Sequence, residues 1–228
     1  MKESIACKVT GDVLKVADGI AIIRTIGKDN KGELHEDLHT VAHGGHNVES
    51  GAFVTVIGKV IDIDRTQLIQ AGSIEKAEAG PDNYKNVAQV YGFIEKETVL
   101  YPRKLDESTG KVKQPFANVT LKALGTRIFG TLFGALASNW KASGPIGSEC
   151  VLYGRMRRKE MKSFDEGPPR RYIDIASDDF NFPGQSRILK KGAGAKNEFA
   201  GMEAELMAFT QGVMETPEPE KKSGRKAK

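Results

Sequence analysis

Between residues 127 and 162 the chain interleaves cations with aromatic rings. Arg127, Phe129 and Phe133 lie on one short run. Arg155, Arg157, Arg158, Lys159 and Lys162 crowd a second, with Tyr153 just before them and Phe164 just after. In an extended strand successive side chains point to opposite faces, so Arg127, Phe129, Thr131 and Phe133 share one face and Ile128 and Leu132 the other. Ile128 and Leu132 are expected in a core, with Phe129 and Phe133 facing out; the reversed assignment would bury the rings. Open rings beside Lys and Arg suit a single polynucleotide strand. Its bases stack on aromatic faces, each stack worth about 1–3 kcal/mol, and its phosphates meet the cations. Lys122 adds a cation nearby, and Tyr101 and Trp140 interleave with the patch. Trp140 is expected to pack or to meet a subunit rather than to stack on a base. The basic run alone could equally be a solvated hairpin.

A second constellation invites a different chemistry. All four histidines fall between residues 35 and 46, and His35-Glu-Asp-Leu-His39 is a literal match to the zinc-peptidase motif, in which two His one helical turn apart hold zinc and Glu is the base. That motif needs a helix, a third ligand and a cleft. Here it runs into Val41 and a strand-like stretch, and the third ligand is missing at its expected spacing. Plain exposed histidines are the default expectation; His35, His39 and His43 along one strand face, holding a metal adventitiously, is the alternative. No phosphate-cradling glycine loop and no Cys-x-x-Cys pair is present. The expectation is therefore no catalytic residues, no resident metal and no cofactor.

Short β-branched or aromatic segments must position these residues. Ser4–Val9, Ile20–Ile26, Phe53–Ile63, Val87–Ile94, Ala117–Leu124, Cys150–Met156 and Tyr172–Ala176 are punctuated by Gly, Asp, Asn and Pro. Many short strands with turns between them predict a mainly-β barrel or sandwich. Asp37-Leu-His-Thr-Val-Ala-His-Gly44 aligns with Arg127-Ile-Phe-Gly-Thr-Leu-Phe-Gly134, with one residue of slack. Gly51-Ala-Phe-Val-Thr-Val-Ile-Gly58 likewise aligns with Gly147-Ser-Glu-Cys-Val-Leu-Tyr-Gly154. Gly58 and Gly154 sit mid-strand, where a small barrel needs a bend to close. The longer connection of the second copy, residues 135–146, has room for a short helix. The repeat places one domain at 1–80, a Gly80-Pro-Asp-Asn83 linker and a second domain at 84–185, followed by a tether, short helix and basic tail over 186–228.

Charge separates these parts. Residues 1–80 carry a net −3, residues 84–186 a net +5 and residues 187–228 a net +3. An acidic first segment beside a basic second one points to different partners. Cys7 and Cys150 each sit in an apolar run, as expected for reduced, buried thiols of a cytoplasmic protein. No apolar run approaches the ~20 residues of a membrane span, and the first residues lack a signal peptide's pattern.

The second domain resembles the bacterial and phage-type single-stranded-DNA-binding protein family in four stretches. Asn86-Val-Ala-Gln-Val-Tyr-Gly92-Phe-Ile looks like the family's first strand and Phe116-Ala-Asn-Val-Thr-Leu121 like its second. Arg127-Ile-Phe-Gly-Thr-Leu-Phe-Gly-Ala-Leu-Ala137 looks like the third strand entering a helix, and residues 147–159 like the fourth. The resemblance implies two oligonucleotide-binding (OB) barrels in tandem, with a C-terminal amphipathic helix and a disordered tail. It also implies sequence-independent binding and protection of single-stranded DNA in replication, recombination or repair, and a nucleoid-associated homo-oligomer, with a dimer favoured. Phe133 stands where the family has a stacking aromatic, whereas Arg127 and Met161 stand near two positions that the family fills with tryptophan. The family's acidic tip is replaced by Ser223-Gly-Arg-Lys-Ala-Lys228; the amphipathic stretch Phe199–Val213 is the expected protein-partner or subunit contact. RNA binding, or a structural role in a larger nucleoprotein assembly, are the alternatives. The first domain, whose only aromatic is Phe53, fits weak DNA contact, assembly or partner binding.

Overall fold

The computed structural model describes residues 2–28, 32–102, 104–106, 108–143, 145–162 and 168–182. Phe164, the amphipathic stretch 199–213 and the basic tail lie outside the described residues.

Five long strands build a first barrel: β1 (Ser4–Ala17), β2 (Ile20–Lys28), β3 (Leu34–Ala42), β4 (Phe53–Ile63) and β5 (Thr66–Lys76). Neighbours run in the order β1-β2-β3-β5-β4 and close back onto β1. The β3–β5 pair is parallel, and every other pair in this ring is antiparallel. The second barrel uses β6 (Lys85–Ile94), β10 (Phe116–Ala123), β11 (Thr126–Phe133), β12 (Glu149–Met161) and β13 (Arg170–Asn181). Its ring, β6-β10-β11-β13-β12 and back to β6, has the same order and the same single parallel pair, β11–β13. Between β6 and β10 lie β7 (Val99–Tyr101), which pairs with β10, and a small hairpin of β8 (Lys104–Asp106) and β9 (Lys111–Lys113). Helix α1 (Ala135–Ser143) occupies the β11–β12 connection.

Alternation decides what each strand buries. Ile128 and Leu132 of β11, Val119 and Leu121 of β10, and Leu152 and Met156 of β12 are all at most 1% exposed. Trp140 of α1 is fully buried too. Its indole N–H donates to the Thr98 hydroxyl at 2.7 Å, and its ring meets Phe180 and Phe182 edge-on or tilted. Trp140 therefore seals its own barrel. Gly58 and Gly154 each sit at a register shift in the fourth strand of a barrel. A Cβ at Gly58 would overlap the Gln70 carbonyl oxygen, and one at Gly154 the Ala176 carbonyl oxygen, so the close strand approach at both bends excludes a side chain.

The barrels share one sheet. β1 and β6 pair antiparallel from Ser4 opposite Tyr91 to Thr10 opposite Lys85. The β4–β5 hairpin also reaches the second barrel. The buried Gln67 amide donates to the Arg127 carbonyl at 2.6 Å and accepts the Ile173 N–H at 3.0 Å, bridging β11 and β13 where their own pairing has not yet begun. Asn86 donates to the Met156 carbonyl and the Asp37 carboxylate and accepts the Met156 N–H, tying β6, β12 and β3 together. Amides satisfied on both ends fix geometry; for the buried Gln67, leaving either group unpaired would cost about 1–3 kcal/mol.

The histidine expectations need correction. His39 is buried, not exposed: it faces the first barrel's interior, where its Nε2 meets the Thr25 hydroxyl at 3.1 Å. His39 and Phe129 consequently sit on opposite faces of their strands, although the aligned repeat had paired them. Val41, fully buried like Leu132, shows that the one-residue slack falls inside the strand. Among the described residues no group of three His, Cys, Asp or Glu is placed to hold a metal ion.

Candidate nucleic-acid interface

The outward face of barrel two is built by register. The turn at Leu124 and Gly125, both at positive φ, sets β10 against β11 so that Thr126 lies opposite Ala123 and Phe133 opposite Phe116. Parallel pairing then puts Phe129 beside Asp174 and Thr131 beside Ala176, and antiparallel pairing puts Asp174 beside Arg157 and Tyr172 beside Lys159. Since Ile128, Leu132, Met156, Ile173 and Ile175 are buried, their neighbours Phe129, Thr131, Phe133, Tyr153, Arg155, Arg157, Lys159, Tyr172 and Asp174 alternate onto the other side.

A cation cluster occupies the centre of this face. The Asp174 carboxylate is 2% exposed. It accepts the Thr131 hydroxyl at 2.8 Å, the Lys159 ammonium at 2.9 Å and a close ion pair from Arg157. Arg157 also lies over the Phe133 ring, with Cζ 5.5 Å from its centroid, a cation–π arrangement that orients both groups. Phe133 is 41% exposed, so a large part of its ring is open to solvent. Aromatic groups flank the cluster. On one side the half-buried Phe129 packs against Tyr172, centroids 4.8 Å apart at 59°. On the other, Phe133 continues into Phe116 and Tyr101, which lie in register with it across β10 and β7. Phe129 and Phe133 are four residues apart on β11, or about 13 Å at ~3.3 Å per residue.

Barrel one reaches the edge of the face. Arg155 meets Asp37 of β3 with its Nε at 3.5 Å, and it contacts the His35 imidazole. Two carboxylates from different barrels therefore hold the outward cations of β12.

The remaining residues expected at the site are placed as follows. Lys122 is exposed and lies opposite Arg127 on the same side of the sheet. Arg127 is bound by Glu95 through two nitrogens, one contact at 2.8 Å; the guanidinium holds the Glu95 carboxyl below its usual range. Arg158 points the other way. With Glu160 and Arg171 it lines a shallow groove against Glu36, Asp37 and Leu38 of β3, so it is not brought together with Arg157 and Lys159. Tyr153 is half-buried beside the β12–β13 register shift, and Lys162 is exposed just past the end of β12. Sequence reasoning passed over Tyr172, Phe116 and Asp174 as site members. Tyr172 and Asp174 share a parity in Tyr172-Ile-Asp-Ile-Ala176, a signal that could have found them once β13 was set beside β12.

No protein-family model matches the chain, and no curated protein matches it by sequence. Solved structures do match by fold. The wild-type single-stranded DNA binding protein from Thermus aquaticus superposes with a TM-score of 0.59 at 14% identity, covering 86% of this chain and 98% of that one. A deletion mutant of the same protein superposes with a TM-score of 0.56 at 14% identity, covering 83% and 99%. Coverage of that extent spans both barrels. The chain is therefore a mainly-β protein with the oligonucleotide-binding fold of the single-stranded-DNA-binding proteins.

Proposed function

We propose that this protein binds single-stranded DNA on the outward face of barrel two and performs no chemistry on it. One observation carries the reading: on a single face, aromatic rings flank Arg157, Lys159 and Arg155, and one of those rings, the exposed Phe133, lies under a guanidinium. Bases stack on the rings while phosphates meet the cations, and neither contact reads a base edge, so binding is largely independent of sequence. The fold shared with a single-stranded DNA binding protein supports this reading. Such binding would serve to coat exposed strands in replication, recombination or repair, in a homo-oligomer for which a dimer is our choice. Barrel one, with aliphatic residues and Glu36 on β3, fits assembly better than DNA contact.

A gel-shift series with a labelled oligo-dT tests this. Phe133 is exposed, so Phe133→Ala should leave the melting temperature near wild type yet cost about 1–3 kcal/mol of binding, or ~5- to 150-fold. If Lys122, Arg155, Arg157 and Lys159 each meet a phosphate, log K should fall with log salt at a slope near −3, from ~0.7 per contact on a single strand. Failure of the wild-type protein to shift the oligonucleotide at low salt refutes the reading, as does undiminished binding by Phe133→Ala. A parallel titration with matched RNA measures sugar preference.

A further inference from the structure

The outward aromatics do not end at Phe133. Tyr101 of β7, Phe116 of β10 and Phe133 of β11 stand directly opposite one another on three adjacent strands. Tyr101 and Phe116 are stacked, centroids 4.5 Å apart and planes within 11°. Phe116 is half-buried between its neighbours, yet Tyr101 keeps 41% of its surface in solvent. β7 pairs with β10 alone among the described strands, so Tyr101 stands at the outer end of the row. Tyr101 is thus stacked on one ring and yet leaves 41% of its surface in solvent, so its packing role is incomplete. A solvent-exposed ring backed by a parallel supporting ring is suited to accept a planar heterocycle.

We infer that the Tyr101–Phe116 pair is a further stacking station, which takes a nucleobase from the end of the strand held at the cation cluster. The inference rests on barrel two being a polynucleotide-binding face. It adds a direction: the strand leaves Arg157 and Phe133 across β10 and β7 instead of ending at β11. Two inter-strand steps of ~4.8 Å add about 10 Å of path. At the ~3.4 Å per nucleotide of a stacked duplex strand, that is at most about three nucleotides of extra footprint. The β8–β9 hairpin, with the exposed Lys104, follows Tyr101 in the chain and supplies a cation in the same neighbourhood of the sequence.

Length dependence tests the inference separately from the underlying reading. Affinities of the full chain for oligo-dT of increasing length, measured by fluorescence anisotropy, are compared among wild type, Tyr101→Ala and Tyr101→Phe. We expect Tyr101→Ala to match wild type within about twofold on the shortest oligonucleotides that bind. On longer ones it should lose about 5- to 150-fold, with its plateau reached one to about three nucleotides earlier. Tyr101→Phe, which keeps the ring, should restore the wild-type curve. An equal loss at every length would mean that Tyr101 only props Phe133, and no loss at any length would mean that no base reaches it; either overturns the inference while leaving the binding face intact. A wild-type protein that binds no oligonucleotide of any length removes both.

Discussion

A buried carboxylate in the middle of a face proposed to meet phosphates needs a physical reason, and Asp174→Asn tests the one the structure supplies. Asp174 is 2% exposed and serves Arg157, Lys159 and the Thr131 hydroxyl at once. Removing one member of a fully buried ion pair costs about 3–5 kcal/mol, because the partner charge is stranded. Here the partners can turn to water: the Arg157 and Lys159 side chains are 23% and 37% exposed. Asn also still accepts the Thr131 hydroxyl. Those two discounts bring the expected loss to about 2–3 kcal/mol, near the value of one or two hydrogen bonds to a charged group. In a protein of this size, 1 kcal/mol shifts the melting temperature by about 2–4 °C, so thermal unfolding followed by circular dichroism should show a drop of about 4–12 °C. Binding should change in the opposite electrostatic sense. With the carboxylate neutral, nothing offsets the charge of Arg157 and Lys159, and the salt slope on oligo-dT should steepen, by up to the ~0.7 of one contact on a single strand. A variant that melts within 1 °C of wild type, or whose salt slope becomes shallower, refutes the view that Asp174 anchors these cations.

Other expectations follow from burial and close approach. His39 is pushed down to about 4 by burial, below its ordinary 6.5. The unfolded chain therefore binds the extra proton between those pH values, so the stabilising contribution is present above pH 6.5 and is lost as pH falls towards 4. Urea unfolding should show about 3 kcal/mol of that decline in wild type, and a correspondingly flatter profile in His39→Gln; parallel profiles would contradict it. Cys7 is pushed up to about 12, and Cys150 is also raised, by burial. A thiol reagent at pH 8 should label neither in the folded protein and both in denaturant, and fast labelling of the folded state would show that the core opens. Gly154→Ala would force a methyl group onto the Ala176 carbonyl, and should cost about 1–3 kcal/mol in denaturant melts, whereas an unchanged midpoint would mean that the bend relaxes freely.

What could be read without coordinates was local. The two-residue period of Arg127–Phe133 correctly separated Ile128 and Leu132 from Phe129 and Phe133, because strand alternation is a property of a single segment. Gly58 and Gly154 stood out for the same reason: a residue without a side chain inside an apolar run marks a close approach. β5 escaped because Thr66–Lys76 dilutes Leu68 and Ile69 with Gln, Gly and Ser, and its strand state comes from its partners β3 and β4. The pairing of His39 with Phe129 in the aligned repeat failed for a related reason. An alignment tolerates one residue of slack, but a strand does not, because a single step moves every side chain to the other face. The role of Asp174 was unreadable, since it depends on the β12–β13 register that brings Arg157 alongside.

The same reasoning explains how two barrels of one connectivity diverge. Closure of each ring constrains the inward positions and the bends, so Val41 and Leu132 are both fully buried and Gly58 and Gly154 both sit at register shifts. Outward positions escape that constraint. On β3 they carry Leu34, Glu36, Leu38 and Thr40; on β11 they carry Arg127, Phe129, Thr131 and Phe133. The fold therefore says little about which barrel would hold a polynucleotide, and the proposed choice of barrel two rests on the outward side chains. Barrel one is still not a bystander. Asp37 faces the junction rather than open solvent, where it holds Arg155 and receives Asn86. The acidic first segment thus meets the basic second one at a fixed contact, and barrel one helps to aim a cation at the rim of its neighbour's face.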